Sequence, residues 1–160
     1  MGERIKSILI VDDEPGVRDI LRVNLEAEGY AVYEAGDGRE AIEQVQGAAP
    51  DLLILDVMMP YINGWEVLRR LEADPATAGL PIIMLSVRAG DSDVLRGLEQ
   101  GALEYIPKPF DPVVVSERVR LILEELDARG RQAYRQRLIE CRRCNMASLS
   151  RLFGAGGEGA

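Results

Sequence analysis

Residues 52–60 read LLILDVMMP, and this stretch decides the fold. Four aliphatic residues run without a break from Leu52 to Leu55 and end at the acidic residue Asp56. A short, continuous apolar run between prolines is typical of a β-strand that is buried on both faces. Strands of this kind occur in parallel sheets whose two faces are covered by helices. The stretch therefore predicts a central strand of an α/β domain, with Asp56 at its carboxyl end.

Apolar runs of the same kind recur on both sides of this strand. The five predicted strands are Ile5–Val11, Tyr30–Ala35, Leu52–Val57, Ile82–Val87 and Tyr105–Ile106. A stretch with apolar residues at helical spacing follows each strand, and Gly29, Gly47 and Gly101 end three of these stretches. Five strand–helix repeats predict a doubly wound, five-stranded parallel sheet in the order 2-1-3-4-5, with five helices.

The composition limits the classes of function. The chain has 160 residues, of which 47% are hydrophobic and 29% are charged, as in an ordinary globular domain. Its apolar runs are all shorter than the roughly 18 residues of a membrane span, and its N-terminus does not resemble a secretory signal. We therefore expect a cytoplasmic protein without a membrane span. The absence of histidine excludes Ser-His-Asp and Cys-His catalysis, His-ligated zinc and a phosphohistidine donor.

The charge is distributed unevenly between the two parts of the chain. Residues 1–126 hold 12 Lys and Arg against 24 Asp and Glu, whereas residues 127–160 hold 7 Arg against 3 acidic residues. An acidic body disfavours nucleic acid, so direct nucleic-acid binding is not expected. The predicted organisation is a domain over 1–126, a basic helical extension over 127–153 and a flexible, Gly-rich tail over 154–160.

The extension has an amphipathic pattern, and we expect it to continue the fifth helix. Its predicted apolar face consists of Tyr134, Leu138, Cys141, Asn145 and Leu152, with Leu149 nearby and the arginines mostly elsewhere. Three interpretations stay open: a dimerising or signal-carrying coiled coil, a basic arm that docks on an acidic partner or a membrane surface, and a solvated helix.

The two cysteines, Cys141 and Cys144, form a lone C-x-x-C in this extension. The simplest interpretation is two reduced thiols, and the alternative is a metal shared between two chains.

Polar side chains follow the central strands. Asp12 and Asp13 follow the first strand, Asp56 and Ser86 end the third and fourth, and Lys108 follows the fifth. Ligands bind at the carboxyl edge of such sheets, so this set predicts a shared site. Close carboxylates suit Mg²⁺, and a lysine and a hydroxyl beside them suit a phosphoryl group, with Asp56 as the candidate nucleophile. Each aspartate taken alone is also compatible with a turn or a helix cap.

Four stretches together resemble the receiver domain of bacterial two-component response regulators. They are ILIVDDEP, PDLLILDVMMPYINGWEVL, PIIMLS and GALEYIPKPF, and the resemblance covers about residues 5–126. The resemblance implies that Asp56 is the phosphoacceptor. It also implies that Asp13, Asp56 and the Met58 carbonyl bind Mg²⁺ directly, and that Asp12 acts through water.

The same resemblance implies a switch. Ser86 matches the hydroxyl that bonds the phosphoryl group, Lys108 the lysine that pairs with it and Tyr105 the aromatic switch residue. The Lys108–Pro109 peptide bond matches one that is usually cis in the family. Phosphorylation would then change the face formed by the fourth helix, the fifth strand and the fifth helix.

The implied partner is a sensor histidine kinase or a histidine phosphotransfer protein, which presents a phosphohistidine. The protein would not be an enzyme toward other substrates, since it catalyses only its own phosphorylation and dephosphorylation. A homodimer would form through the switch face or the C-terminal helix. The alternatives are a receiver-like scaffold that works without phosphate, the receiver part of a longer regulator with a separate output domain, and a Mg²⁺-dependent phosphatase.

Overall fold

A single parallel sheet organises the protein. The computed structural model describes residues 4–154. The five strands are β1 (Ser7–Val11), β2 (Ala31–Ala35), β3 (Leu52–Asp56), β4 (Ile82–Ser86) and β5 (Glu104–Pro107). Every paired strand is parallel, and the order across the sheet is β2-β1-β3-β4-β5. The predicted fold class and strand order are therefore confirmed.

Six α-helices accompany the strands in the described part of the chain. They are α1 (Pro15–Ala27), α2 (Gly38–Ala48), α3 (Gly64–Ala73), α4 (Asp91–Glu99), α5 (Pro112–Arg120) and α6 (Ala128–Gly154). Side-chain oxygens of Asp37, Asn63 and Asp111 cap the first turns of α2, α3 and α5, which fixes where these helices begin. Among residues 4–154, no helix is long and apolar enough to cross a membrane.

The core consists of one apolar layer on each face of the sheet. Leu53 and Leu55 of β3 belong to the layer beneath α2, α3 and α4, while Leu52 and Ile54 belong to the layer beneath α1 and α5. Successive strand residues point to opposite faces, so a continuous apolar strand contributes to both layers. This burial explains why the strand sequences show no polar alternation.

The C-terminal helix does not continue α5, and the expected continuation is therefore wrong. A π-helical turn, Leu121–Glu125, follows α5, and the chain then adopts an extended backbone at Leu126. The Asp127 carboxylate accepts a hydrogen bond from the Gly130 amide at 2.7 Å, which starts α6 as a separate helix. This break allows α6 to pack against α4.

The face of α6 that packs on the body differs from the predicted face. Tyr134 and Leu138 are half-buried, but the buried residue is Ile139, whereas Cys141 and Asn145 are exposed. The side chains of Leu149 and Leu152 lie outside the described residues, and so do residues 155–160 of the predicted Gly-rich tail. The two faces differ because arginines occupy part of the packed face.

Candidate functional site

The sheet brings the predicted polar residues to one edge. Asp12 directly follows β1, Asp56 is the last residue of β3 and Ser86 is the last residue of β4. The Lys108 amide donates to the Ser86 carbonyl at 2.8 Å, which ties the segment after β5 to the same edge. The predicted juxtaposition at the carboxyl edge of the sheet therefore exists in the structure.

Three carboxylates form an acidic cluster at this edge. Asp12 and Asp56 are 1% and 3% exposed, and Asp13 is exposed. One carboxylate oxygen from each lies within 4.8 Å of the others. Hard oxygen ligands at this spacing, with one side open to solvent, suit Mg²⁺, which keeps several of its waters. The donor set therefore fits the predicted ion.

Lys108 lies between the two buried carboxylates. Its ammonium Nζ is 2.7 Å from Asp12 Oδ2 and 3.4 Å from Asp56 Oδ1. Burial lowers the pKa of Lys108, but the hydrogen bond to Asp12 and the charges of both carboxylates outweigh it and hold this pKa above its ordinary value. The ammonium is therefore charged and compensates part of the negative charge of the cluster.

Asp56 itself is held in an unfavourable environment for a carboxylate. Burial, together with the charge of Asp12, raises the pKa of Asp56 to about 6, although Lys108 opposes this shift. An acid whose pKa is higher in the folded state binds more protons folded than unfolded. Stability is therefore lost as the pH rises from about 4 to about 6, where the unfolded carboxyl is already ionised.

Because the buried Asp56 carboxylate is destabilising when it is ionised, we predict that Asp56→Asn stabilises the metal-free protein. In EDTA at pH 7.5, we expect the free energy of unfolding to increase by about 1–2 kcal/mol, and at pH 4 to change little. Urea unfolding at both pH values measures the difference. Asp51→Asn is the control of opposite sign, since the Asp51 carboxylate accepts the Ser7 amide at 2.7 Å. A destabilised Asp56→Asn protein at pH 7.5 would contradict the prediction.

The residues proposed for the switch lie beside this cluster. Ser86 is fully buried, and its Oγ accepts a hydrogen bond from the Arg88 amide at 3.0 Å. The Tyr105 hydroxyl donates to the Arg88 carbonyl, so both side chains bind the same residue of the loop after β4. The Tyr105 ring is buried against Trp65, with the ring centroids 6.1 Å apart. Trp65 is thus a packing residue.

Two further predicted features have clear positions. The Met58 amide donates to Asp56 Oδ1 at 3.4 Å, and the Met58 side chain is exposed. The Lys108–Pro109 peptide bond is cis.

Two residues that support the site were not found by sequence reasoning. Arg18 of α1 donates to the Asp12 carbonyl at 2.6 Å and to Glu34 at 3.3 Å, which holds the loop that carries the acidic pair. Gly64 lies so close to β3 that a Cβ atom there would be 2.3 Å from the Asp56 carbonyl oxygen. No local pattern marks Arg18, whereas the glycine after Asn63 is visible as the start of a helix.

Fold and site together define an α/β domain with an acidic, lysine-bearing cluster at its carboxyl edge. Residues 8–120 match the family model described as the response regulator receiver domain. The chain belongs to this family.

Curated relatives and solved structures agree with this assignment. The chain is 39% identical over 120 residues to the DNA-binding dual master transcriptional regulator RpaA of Synechocystis sp., covering 75% of this chain and 50% of RpaA. It is 43% identical over 118 residues to the alkaline phosphatase synthesis transcriptional regulatory protein PhoP of Bacillus subtilis, covering 74% and 48%. The chain thus spans about half the length of these relatives.

Among solved structures, a putative response regulator from Chloroflexus aurantiacus has a TM-score of 0.71 and 39% identity, covering 75% of this chain and 98% of that one. The chemotaxis response regulator CheY4 of Vibrio cholerae has a TM-score of 0.71 and 31% identity, covering 75% and 100%. Each similarity therefore covers three quarters of this chain and nearly all of the other structure.

Proposed function

We propose that this chain is a phosphoryl-accepting receiver of a two-component system. Asp56 takes the phosphoryl group from a phosphohistidine in a Mg²⁺-dependent reaction, and the donor is a sensor histidine kinase or a histidine phosphotransfer protein. The observation that carries the proposal is the position of Lys108 Nζ, 2.7 Å from Asp12 and 3.4 Å from Asp56. A buried cation beside a carboxylate nucleophile is what an incoming phosphoryl group requires.

The chemistry follows from these positions. A carboxylate oxygen of Asp56 forms a bond to phosphorus while the phosphorus–nitrogen bond of the donor breaks, and the donor imidazole leaves with the electron pair. Asp12, Asp13, Asp56 and the Met58 carbonyl would hold Mg²⁺, which, when bound, supplies positive charge against the phosphoryl oxygens. Lys108 then exchanges its contact with Asp12 for a phosphoryl oxygen. Ser86 donates its hydroxyl proton to another.

The added charge drives the proposed switch. An aspartyl phosphate carries about −1.5 to −2 charges at a buried edge, in place of the single negative charge of the free carboxylate. Ser86 Oγ now accepts the Arg88 amide, and a move of Ser86 toward the phosphoryl group would release that amide. Because the Tyr105 hydroxyl binds the Arg88 carbonyl, the same move reaches β5.

The proposal predicts a gain of one phosphoryl group per chain when the protein is incubated with acetyl phosphate and Mg²⁺. Intact-mass spectrometry measures the gain, and Asp56→Asn and EDTA are each expected to abolish it. Asp51→Asn is the matched control, because that carboxylate lies at the opposite edge of the sheet and bonds Ser7. A gain that persists in Asp56→Asn would assign the chemistry to another residue.

The same proposal places the protein in the cytoplasm, where it acts as a switch with no separate substrate.

A second candidate is the receiver part of a longer DNA-binding regulator, which is favoured by the names of the relatives and by their length. The expectation that the chain itself does not bind nucleic acid stays a prediction, and a titration of fluorescent DNA at 150 mM salt would test it. The scaffold interpretation is disfavoured, because the acidic cluster, Ser86 and Lys108 are all present.

A further inference from the structure

The C-terminal helix α6 packs against α4. Near the start of α4, Arg142 Nη1 lies 2.8 Å from Asp91 Oδ1. At the other end, Arg135 Nε donates to the Leu98 carbonyl at 2.6 Å and its Nη2 donates to the Glu99 carbonyl at 3.1 Å. These carbonyls belong to the last turn of α4, and the Leu98 carbonyl also accepts a hydrogen bond from the Gly101 amide at 3.3 Å. Arg143 Nη2 also lies 2.6 Å from Glu99 Oε1. Arginines of α6 therefore bind both ends of α4.

An aliphatic contact lies between these arginines. Ile139 is 4% exposed and belongs to the same core layer as Val94 and Leu98 of α4. It is the one buried residue of α6 among those whose side chains the structure describes. Positions 135, 139 and 142 fall on one face, because they are separated by about one helical turn each. The packed face thus presents arginine, isoleucine and arginine in succession.

The contact continues onto β5. The Tyr134 hydroxyl donates to Oε2 of Glu104, and the other carboxylate oxygen of Glu104 accepts the Tyr105 amide at 3.2 Å. Arg118 of α5 is also 3.5 Å from Glu104 Oε2. The surface that holds α6 therefore consists of α4 and β5, with α5 at its border.

The contact of α6 with this surface is suited to reversal. Apart from Ile139 and the half-buried Leu138, it consists of polar contacts. The Arg142 and Asp91 side chains are 36% and 28% exposed, and ion pairs at such positions stabilise little. Leu126 and Asp127 alone separate α6 from the preceding π-helical turn, so a change in the backbone of Leu126 redirects the whole helix.

We propose that the surface of α4 and β5 is a binding site for an amphipathic helix that carries two arginines seven residues apart with an aliphatic residue between them. In the chain itself, α6 fills this site as an intramolecular ligand. A separate helix of the same chemistry, α6 of a second copy, binds when the resident helix is displaced. This inference concerns the unphosphorylated protein and does not depend on the proposed function.

The test uses the full chain with Ile139→Asp, which places a carboxylate in the apolar contact and near the acidic residues of α4. Gln136→Asp is the matched control, since it adds the same charge at an exposed position of the same helix. Hydrogen–deuterium exchange of the α6 amides is expected to accelerate at least tenfold in Ile139→Asp and to stay unchanged in Gln136→Asp. Unchanged exchange in Ile139→Asp would overturn the proposal.

A fluorescent peptide with the sequence of residues 128–148 then probes the site. We expect it to bind Ile139→Asp at least about tenfold more tightly than the wild type or Gln136→Asp, because a tethered helix competes at a millimolar effective concentration. A peptide with Arg135→Ala and Arg142→Ala is expected to lose at least tenfold in affinity. Equal binding to wild type and Ile139→Asp, or no binding to Ile139→Asp, would overturn the proposal.

A second full-chain variant tests the proposal in case Ile139→Asp does not fold. Arg135→Ala combined with Arg142→Ala removes the arginine contacts to Asp91 and to the last carbonyls of α4 without placing a charge in the core. It is expected to accelerate exchange in α6 and to admit the wild-type peptide, while circular dichroism and exchange in β1 and β3 stay as in the wild type. If this variant excludes the peptide while its α6 exchanges freely, the surface does not recognise a separate helix.

Discussion

Lys108→Met is expected to lower the rate of phosphoryl incorporation from acetyl phosphate by roughly 10²–10³-fold. The physical reason is the position of the ammonium against both buried carboxylates. It is the one cation that pairs with them within the described residues, so its loss leaves both carboxylates without a paired side-chain cation. Methionine has a similar length and no charge, so the substitution removes the cation and keeps most of the packing.

The measurement is the initial rate of mass gain at saturating Mg²⁺. The chain contains one other lysine, Lys6, whose ammonium donates to the Leu123 carbonyl away from the site. Lys6→Met is therefore the matched control and is expected to keep the wild-type rate. A Lys108→Met rate within threefold of the wild type would remove Lys108 from the proposed chemistry, provided that thermal unfolding shows a folded protein.

Gly64→Ala is expected to destabilise the protein by about 3 kcal/mol, which lowers the melting temperature by about 6–12 °C. A Cβ atom at position 64 would be 2.3 Å from the Asp56 carbonyl oxygen and 2.8 Å from the Val57 Cα. Both neighbours are backbone atoms at the end of the central strand, so neither can move without displacing Asp56, the proposed phosphoacceptor. The same variant should therefore also lose phosphoryl incorporation.

The control is Gly79→Ala, because nothing lies within 4 Å of a Cβ atom at position 79. This second substitution makes the same change in a loop with open space around it. Its melting temperature is expected to stay within about 2 °C of the wild type. Equal melting temperatures for the two variants would contradict this prediction. They would mean that the backbone between β3 and α3 shifts to accommodate a Cβ atom at little cost in free energy.

The sheet could be predicted from the sequence because its strands are buried on both faces. Leu52–Asp56 and Ile82–Ser86 are buried throughout, and a continuous apolar run leaves few alternatives to a central parallel strand. The site follows from the same reasoning. Once the carboxyl ends of parallel strands share an edge, Asp12, Asp56 and Ser86 must meet there.

The position of α6 could not be predicted in the same way. Its amphipathic pattern is weak, since Arg135 and Arg142 occupy the packed face and bind groups more than 30 residues away in the sequence. Local spacing favoured Cys141 and Asn145, which are exposed, over Ile139, which is buried. A helix held mainly by arginine contacts to a distant helix end has no signature in its own sequence.

Glu104 joins two parts of the molecule through the two oxygens of one carboxylate. One oxygen binds Tyr134 of α6, and the other binds the amide of Tyr105, whose hydroxyl reaches the loop beside Ser86. Linked equilibria are reciprocal, so any factor by which phosphorylation of Asp56 weakens the docking of α6 is the factor by which docking disfavours the phosphorylated state. A tenfold effect, about 1.4 kcal/mol, would be tenfold in both directions. The C-terminal helix would then help to set how much phosphorylated protein exists at a given donor concentration.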